Sequence, residues 1–139
     1  MNLLTVAHRP AVEVAPDSSV MEAVEASLPA RVGAVAVVEQ GRIIGIFTER
    51  DVMTKVLPKR LDPDKTQVRE VMTSPVITVP PTLHIDDVWN LMLEKHIRHL
   101  PISEDGRTVL GMLSIRNVLE LLVQTLKENL KYMESYMGR

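Results

Sequence analysis

The side chains with the clearest chemistry are a hydroxyl and a carboxylate three residues apart, Thr48 and Asp51. Thr48 is a natural N-cap, so both side chains are expected to project from the first turn of one helix. Backbone N–H groups at a helix start favour anions, and a carboxylate can accept hydrogen bonds from both hydroxyls of a diol. The same pair can equally be a cap and a first-turn acid that complements the helix dipole, and both interpretations stay open.

A second cluster is basic and comprises Lys95, His96, Arg98 and His99, just before a short apolar stretch. The planar guanidinium of Arg98 can bind two oxygens of a phosphate group, and His99 offers a pH-dependent contact. Lys95 and His96 are interpreted as a solvated helix end. His96 and His99 are spaced i, i+3, but the sequence offers no further ligand set, so we predict no metal site.

One supersecondary unit occurs twice in the chain. A shift of 65 residues aligns Gly41 with Gly106, and after an insertion beside Thr108 a shift of 66 aligns Gly45 with Gly111. We predict a first repeat over residues 1–62, a linker over 63–70, a second repeat over 71–124 and a helical extension over 125–139.

Each copy has the pattern β-α-β-β-α. An extended stretch, over 11–14 or 76–79, precedes an amphipathic helix. The helix is expected to be capped by a residue of the 17–19 run in the first copy and by Thr82 in the second. Its predicted packed face includes Leu28 in the first copy and Leu93 in the second. Two strands follow (34–38 and 43–47; 100–102 and 109–113), and a last helix begins near Thr48 or Ser114. Either unit is too small to be stable alone, so we predict an α+β fold in which the two repeats pack together.

The last helix of the second copy carries a heptad pattern. Its apolar residues are spaced 4-3-4-3-4: Leu119, Val123, Leu126, Leu130, Met133 and Met137. Such a stripe needs a partner, which is either the chain's own core or, as we predict, a second copy in a homodimer.

Three segments together resemble the cystathionine-β-synthase-type (CBS) domain. Residues 71–79 (VMTSPVITV) are similar to its opening, residues 97–102 (IRHLPI) to its central strand, and residues 45–52 (GIFTERDV) to its closing strand–turn–helix. The duplication therefore resembles a stand-alone tandem CBS pair, a Bateman module, with two repeats related by a pseudo-twofold axis. The resemblance implies a regulatory module without catalytic activity or required cofactor. Its implied ligand contains adenosine (AMP, ADP, ATP, S-adenosylmethionine or NAD) and binds in the cleft between repeats.

The resemblance also implies which residues form the sites. In the main site, the Asp51 carboxylate would hold the ribose, and basic residues of the other repeat would hold the phosphate. The residues of this main site are Thr48, Arg50, Asp51, Ile77, Thr78, Ile97, Arg98 and His99. Ile77 and Thr78 would line the base. The mirror-related site would comprise Val12, Arg31, Val32, Gly33, Ser114, Arg116 and Asn117. It is predicted to be weak or empty, because an amide replaces the charged acceptor at Asn117.

Composition limits the remaining possibilities. Sixteen Lys and Arg against eighteen Asp and Glu give a net charge of −2, which disfavours general nucleic-acid binding. There is no cysteine, so disulfide and thiol chemistry are excluded. We find no P-loop, GxSxG or HExxH motif and no membrane-length apolar run, so a cytoplasmic, non-enzymatic protein acting on an effector protein is expected. The alternative is a ligand-free module that only dimerises.

Overall fold

Both repeats are built around an antiparallel β-hairpin, in a computed structural model that describes residues 2–138. The first contains β1 (Glu13–Val14), α1 (Val20–Ala30), β2 (Ala34–Glu39), β3 (Arg42–Thr48) and α2 (Glu49–Asp51), which continues as a π-helix over Val52–Val56. The second contains α3 (Ile85–Lys95), β4 (His99–Ile102), β5 (Gly111–Ser114) and α4 (Ile115–Met137). Turns of 3-10 helix occupy Leu3–Thr5 and Val68–Glu70. Among the described residues, no helix combines the length and apolar composition that a membrane span requires.

The strands form one sheet in each repeat. In the first, β1 is parallel to β2 and β2 is antiparallel to β3, with an irregularity between Val37 and Val38. In the second, β4 pairs antiparallel with β5. The predicted caps Ser19, Thr48 and Ser114 are confirmed, each with a reciprocal capping box. These local patterns fix where α1, α2 and α4 begin.

The predicted first strand of the second repeat, residues 76–79, is wrong. Only a parallel bridge between Val79 and Ile102 forms there. In the first repeat the Ala36 N–H donates to the Val12 carbonyl, but the position equivalent to Ala36 is Pro101, which has no N–H to give. The corresponding ladder bond to Ile77 therefore cannot form.

Two further predictions about the helices are corrected. The cap of α3 is His84 rather than Thr82, because the Asp86 N–H donates to His84 Nδ1 over 3.1 Å. Leu28 and Leu93 do not lie on packed faces, since they are 66% and 51% exposed.

The two repeats are joined by segments that cross from one to the other. His8 pairs antiparallel with Met112 of β5, and Thr73 pairs in the same way with Ile46 of β3. His8 and Thr73 are 65 residues apart and Ile46 and Met112 are 66 apart, which are the two offsets of the sequence repeat. The crossing segments thus obey the predicted pseudo-twofold relation.

Side-chain packing also crosses from one repeat to the other. Leu3 is 1% exposed and lies in the core of the second repeat, while the small side chains of Ala11, Ala34 and Ala36 share a cluster with Met112 of the other repeat. The small residues let the two hairpins approach closely.

Candidate functional site

Asp51 is held in place by the start of α2. Its Oδ2 atom accepts hydrogen bonds from the Thr48 backbone N–H at 2.9 Å and from the Thr48 hydroxyl at 3.2 Å. In return, the Asp51 N–H donates to Thr48 Oγ1 at 3.2 Å. The Thr-x-x-Asp spacing therefore forms a capping box, as the cap interpretation of the sequence required.

The second oxygen of Asp51 faces residues that the sequence reasoning missed. Asp51 Oδ1 accepts a hydrogen bond from Thr73 Oγ1 at 3.1 Å and forms an ion pair with Lys55 Nζ at 3.0 Å. Lys55 Nζ also lies 3.3 Å from Thr73 Oγ1. Asp51 is only 4% exposed. Lys55 was detectable as the i+4 neighbour of Asp51, whereas no sequence pattern pointed to Thr73.

A cleft of about 1000 Å³ opens beside this carboxylate and is lined by both repeats. Six of the eight residues predicted for the main site line it: Thr48, Arg50, Asp51, Ile97, Arg98 and His99. Lys55, Thr73 and Glu49 line it as well, with an apolar wall from α1 and the π-helix that includes Leu28 and Met53. Leu28 and Met53 are 66% and 70% exposed, so they present apolar surface to whatever occupies the cleft.

Ile77 and Thr78 do not line the cleft. Ile77 is 40% exposed, and Thr78 lies on the turn of the second hairpin, where a Cβ added at Gly106 would be 3.9 Å from Thr78 Oγ1. The missing strand accounts for the difference, because only Val79 of the segment 76–79 is paired with β4. The threonine that meets Asp51 is instead Thr73.

Cationic groups from both repeats reach the mouth of the cleft. Arg50 Nη1 donates to the His96 carbonyl of the other repeat at 3.2 Å, and Arg98 is exposed. The Glu49 N–H donates to the Gly33 carbonyl. A Cβ added at Gly33 would lie 3.0 Å from Glu49 Oε1 and 3.4 Å from His99 Cε1, so these two side chains flank Gly33.

His99 is a half-buried titratable group in the cleft. Burial lowers the pKa of His99 from its ordinary value of 6.5, the negative charge of Glu49 opposes this effect, and Arg98 adds to it. His99 is therefore a neutral imidazole at neutral pH, a hydrogen-bonding group rather than a cation. Within residues 2–138, no group of three or more His, Cys, Asp or Glu side chains is placed to hold a metal ion.

The model of the CBS domain family matches residues 5–58 and residues 68–124. The chain belongs to the CBS domain family. The resemblance and the predicted α+β pair of repeats are thereby confirmed.

This CBS pair is similar in sequence and structure to other CBS-domain proteins of the stand-alone type. It is 33% identical over 130 residues to an uncharacterized protein of Methanopyrus kandleri, a match that covers 91% of this chain and 66% of that protein, so the chain spans just under two thirds of the relative's length. A solved structure of a protein with CBS domains from Burkholderia ambifaria is 32% identical, with a TM-score of 0.79 over 84% of this chain and 85% of that one. The CBS domain pair of the protein MJ0100, crystallised with 5′-methylthioadenosine and S-adenosyl-L-methionine, has a TM-score of 0.80 at 24% identity, over 90% of this chain and 98% of that chain. At that identity the likeness is one of fold.

The residues predicted for the mirror-related site have separate local contacts. Val32 and Gly33 line the main cleft instead. Arg31 ends α1 in the left-handed conformation, and the Val12 carbonyl accepts the ladder bond from Ala36. The Arg116 side chain is 86% exposed and forms an ion pair with Glu120 at 3.4 Å.

The mirror position nevertheless repeats the capping geometry. Asn117 Oδ1 accepts hydrogen bonds from the Ser114 N–H at 2.9 Å and from the Ser114 hydroxyl at 2.8 Å. Leu121 replaces Lys55 and is 6% exposed, and His8 replaces Thr73 with a buried Nδ1 that makes no hydrogen bond. The CBS pair therefore has the same cap twice, with charged partners around one of them.

Proposed function

We propose that this CBS pair is a regulatory module that binds an adenosine-containing ligand in the cleft lined by Asp51, Arg98 and His99. The observation that supports it best is the meeting of the Asp51 carboxylate from one repeat with the Arg98 guanidinium from the other in a single cleft of about 1000 Å³. Ligand cavities in proteins commonly have about 300–1,000 Å³. In this proposal the ligand bridges the two repeats and so reports its presence through their relative packing.

The chemistry of the cleft suits the three parts of such a ligand. The exposed apolar side chains of Leu28 and Met53 supply a surface for a flat base. Asp51 supplies the charged acceptor for the ribose hydroxyls. Arg98 supplies a planar donor set for phosphate oxygens, and neutral His99 adds a hydrogen bond.

The solved complex of MJ0100 supports an adenosine ligand class in this fold. CBS domain proteins are generally regulatory, and the proposed role is accordingly non-catalytic, with an effector protein as the recipient of the signal. The exposed heptad face of α4 supports the proposed homodimer, because all six of its apolar residues are between 44% and 75% exposed.

Calorimetric titration with AMP, ADP, ATP, S-adenosylmethionine, methylthioadenosine and NAD tests the proposal. At least one compound is expected to bind, and at 100 times its dissociation constant it should stabilise the fold by about 2.7 kcal/mol. For an anionic ligand, Arg98→Ala removes charge-assisted hydrogen bonds worth roughly 1.5–3 kcal/mol, so affinity should fall about 10- to 100-fold.

Arg107→Ala is the matched control, since Arg107 is an exposed arginine outside the cleft. Equal losses in the two variants would contradict the site assignment. Silence across the whole panel would leave the alternative, a ligand-free dimerisation module.

A further inference from the structure

The carboxylate proposed to hold the ribose is fully hydrogen-bonded within the protein. Oδ2 accepts from the Thr48 N–H and hydroxyl, and Oδ1 accepts from Lys55 Nζ and Thr73 Oγ1. A carboxylate offers about four lone-pair positions, so each is in use. A diol can bond to Asp51 only if one of these donors leaves.

Lys55 is the donor best able to leave. The Thr48 contacts form the cap of α2, and Thr73 is fixed by two backbone hydrogen bonds to Ile46, of 2.8 and 3.1 Å. The Lys55 ammonium instead sits on a flexible four-carbon stem, its side chain is 37% exposed, and it lines the cleft. Its movement breaks no backbone contact.

Departure of Lys55 has an electrostatic cost that depends on the ligand. Separating an ammonium from a largely buried carboxylate leaves charge uncompensated. A ligand that carries phosphate can form an ion pair with the displaced ammonium while its ribose hydroxyls donate hydrogen bonds to Asp51. An uncharged nucleoside offers no such anion, and a sulfonium adds a further positive charge.

The second repeat shows that the fold does not need this ion pair. At the equivalent positions Asn117 keeps the cap, and Leu121 stands in place of Lys55. The carboxylate and the lysine are thus replaced together, by an amide and an apolar side chain, while the cap geometry stays the same. The pair is an addition of the first repeat to a shared framework.

We propose that Lys55 makes the cleft selective for adenosine ligands that carry phosphate over uncharged adenosine thioethers and sulfonium ligands, an inference that rests on the proposed function. On binding, the ribose hydroxyls replace the Lys55 ammonium on Asp51 Oδ1, and a phosphate oxygen receives that ammonium. Arg50 and Arg98 face the same cleft and favour the same ligand charge, while the Glu49 carboxylate lies beside Gly33 and His99.

The test is calorimetric titration of the full chain and of Lys55→Leu with ADP, methylthioadenosine and S-adenosylmethionine. Leucine is chosen because the fold already holds Leu121 at the equivalent position. Lys59→Leu, at an exposed site outside the cleft, is the control. The wild type should bind ADP at least about tenfold more tightly than methylthioadenosine. Lys55→Leu should weaken ADP about tenfold and leave methylthioadenosine unchanged or tighter.

The outcomes separate the selectivity from the site itself. An unchanged ratio of ADP to methylthioadenosine affinity in Lys55→Leu, with binding retained, overturns the role of Lys55 and leaves the proposed function standing. A wild type that binds methylthioadenosine or S-adenosylmethionine more tightly than ADP also overturns the role of Lys55. Absence of binding by all three compounds and by the other nucleotides removes the proposed function and the selectivity together. A purely structural ion pair would change the melting temperature without changing the ratio.

Discussion

Gly45 is the position where one added methyl group should weaken the packing between the two repeats. Gly45 is buried in β3, under the segment that crosses from the second repeat. A Cβ at this position would lie 2.5 Å from Met72 Sδ and 3.1 Å from the Thr73 carbonyl oxygen. Since the Thr73 backbone is bonded to Ile46 on the same strand, the segment cannot move away without loss of those bonds.

The expected cost of Gly45→Ala follows from this geometry. Overpacking costs about 1–3 kcal/mol, and the approach to Met72 Sδ is closer than packed atoms allow, so either Met72 or β3 must shift. Alanine also restricts the unfolded chain, which offsets about 0.4–1 kcal/mol. The net loss should lower the melting temperature by roughly 4–10 °C.

Gly111→Ala is the matched control. Gly111 occupies the equivalent place in β5, but a Cβ there would meet its nearest neighbours, Arg9 Cγ and the His8 carbonyl oxygen, at 3.2 Å. The smaller overlap is nearly balanced by the unfolded-state gain, so this variant should stay close to the wild type. Urea denaturation followed by circular dichroism measures both, and hydrogen exchange should show a faster Thr73 amide in Gly45→Ala alone. Equal stability of the two variants would refute the reasoning.

Two further outcomes concern the cleft and α4. The pKa of His99 is lowered by burial, so below pH 6.5 the unfolded chain binds more protons and stability falls as pH drops, levelling off below the folded-state pKa. His99→Gln should flatten the dependence of melting temperature on pH between 7.5 and 5.5, and a variant curve parallel to that of the wild type would contradict this. Leu126→Glu should halve the solution mass of the proposed homodimer in light scattering, whereas Ser135→Glu, off the heptad stripe, should not. A wild-type monomer would exclude the homodimer.

The sequence predicted the parts of the fold that local rules decide. A hydroxyl three residues before a polar N3 side chain marks a capping box wherever it occurs, so the helix starts after Thr48 and Ser114 were predictable. The cleft residues Arg98 and His99 followed from their place before β4. The prediction of a strand over residues 76–79 failed because it depends on strand pairing. Pro101 leaves Ile77 without a ladder donor, and this is apparent only once β4 is known to lie beside that segment.

The missed residues of the site have the same explanation. Thr73 approaches Asp51 because its segment crosses to the other repeat's hairpin. Without knowledge of that crossing, Thr73 could not be preferred over Thr78. Lys55 was visible as an i+4 neighbour, but such pairs usually lie on a solvated face. Only the burial of Asp51, at 4% exposed, makes this pair part of the cleft.

The internal repeat separates what the fold needs from what one cleft adds. Backbone contacts are conserved between the copies: the Glu49 N–H donates to the Gly33 carbonyl as the Ile115 N–H donates to the Arg98 carbonyl. At these same positions the side chains differ, with carboxylate against isoleucine and glycine against arginine. Because the backbone contacts hold with either set of side chains, the charges are not there to build the fold, and their collection around Asp51 is best explained by what that cleft binds.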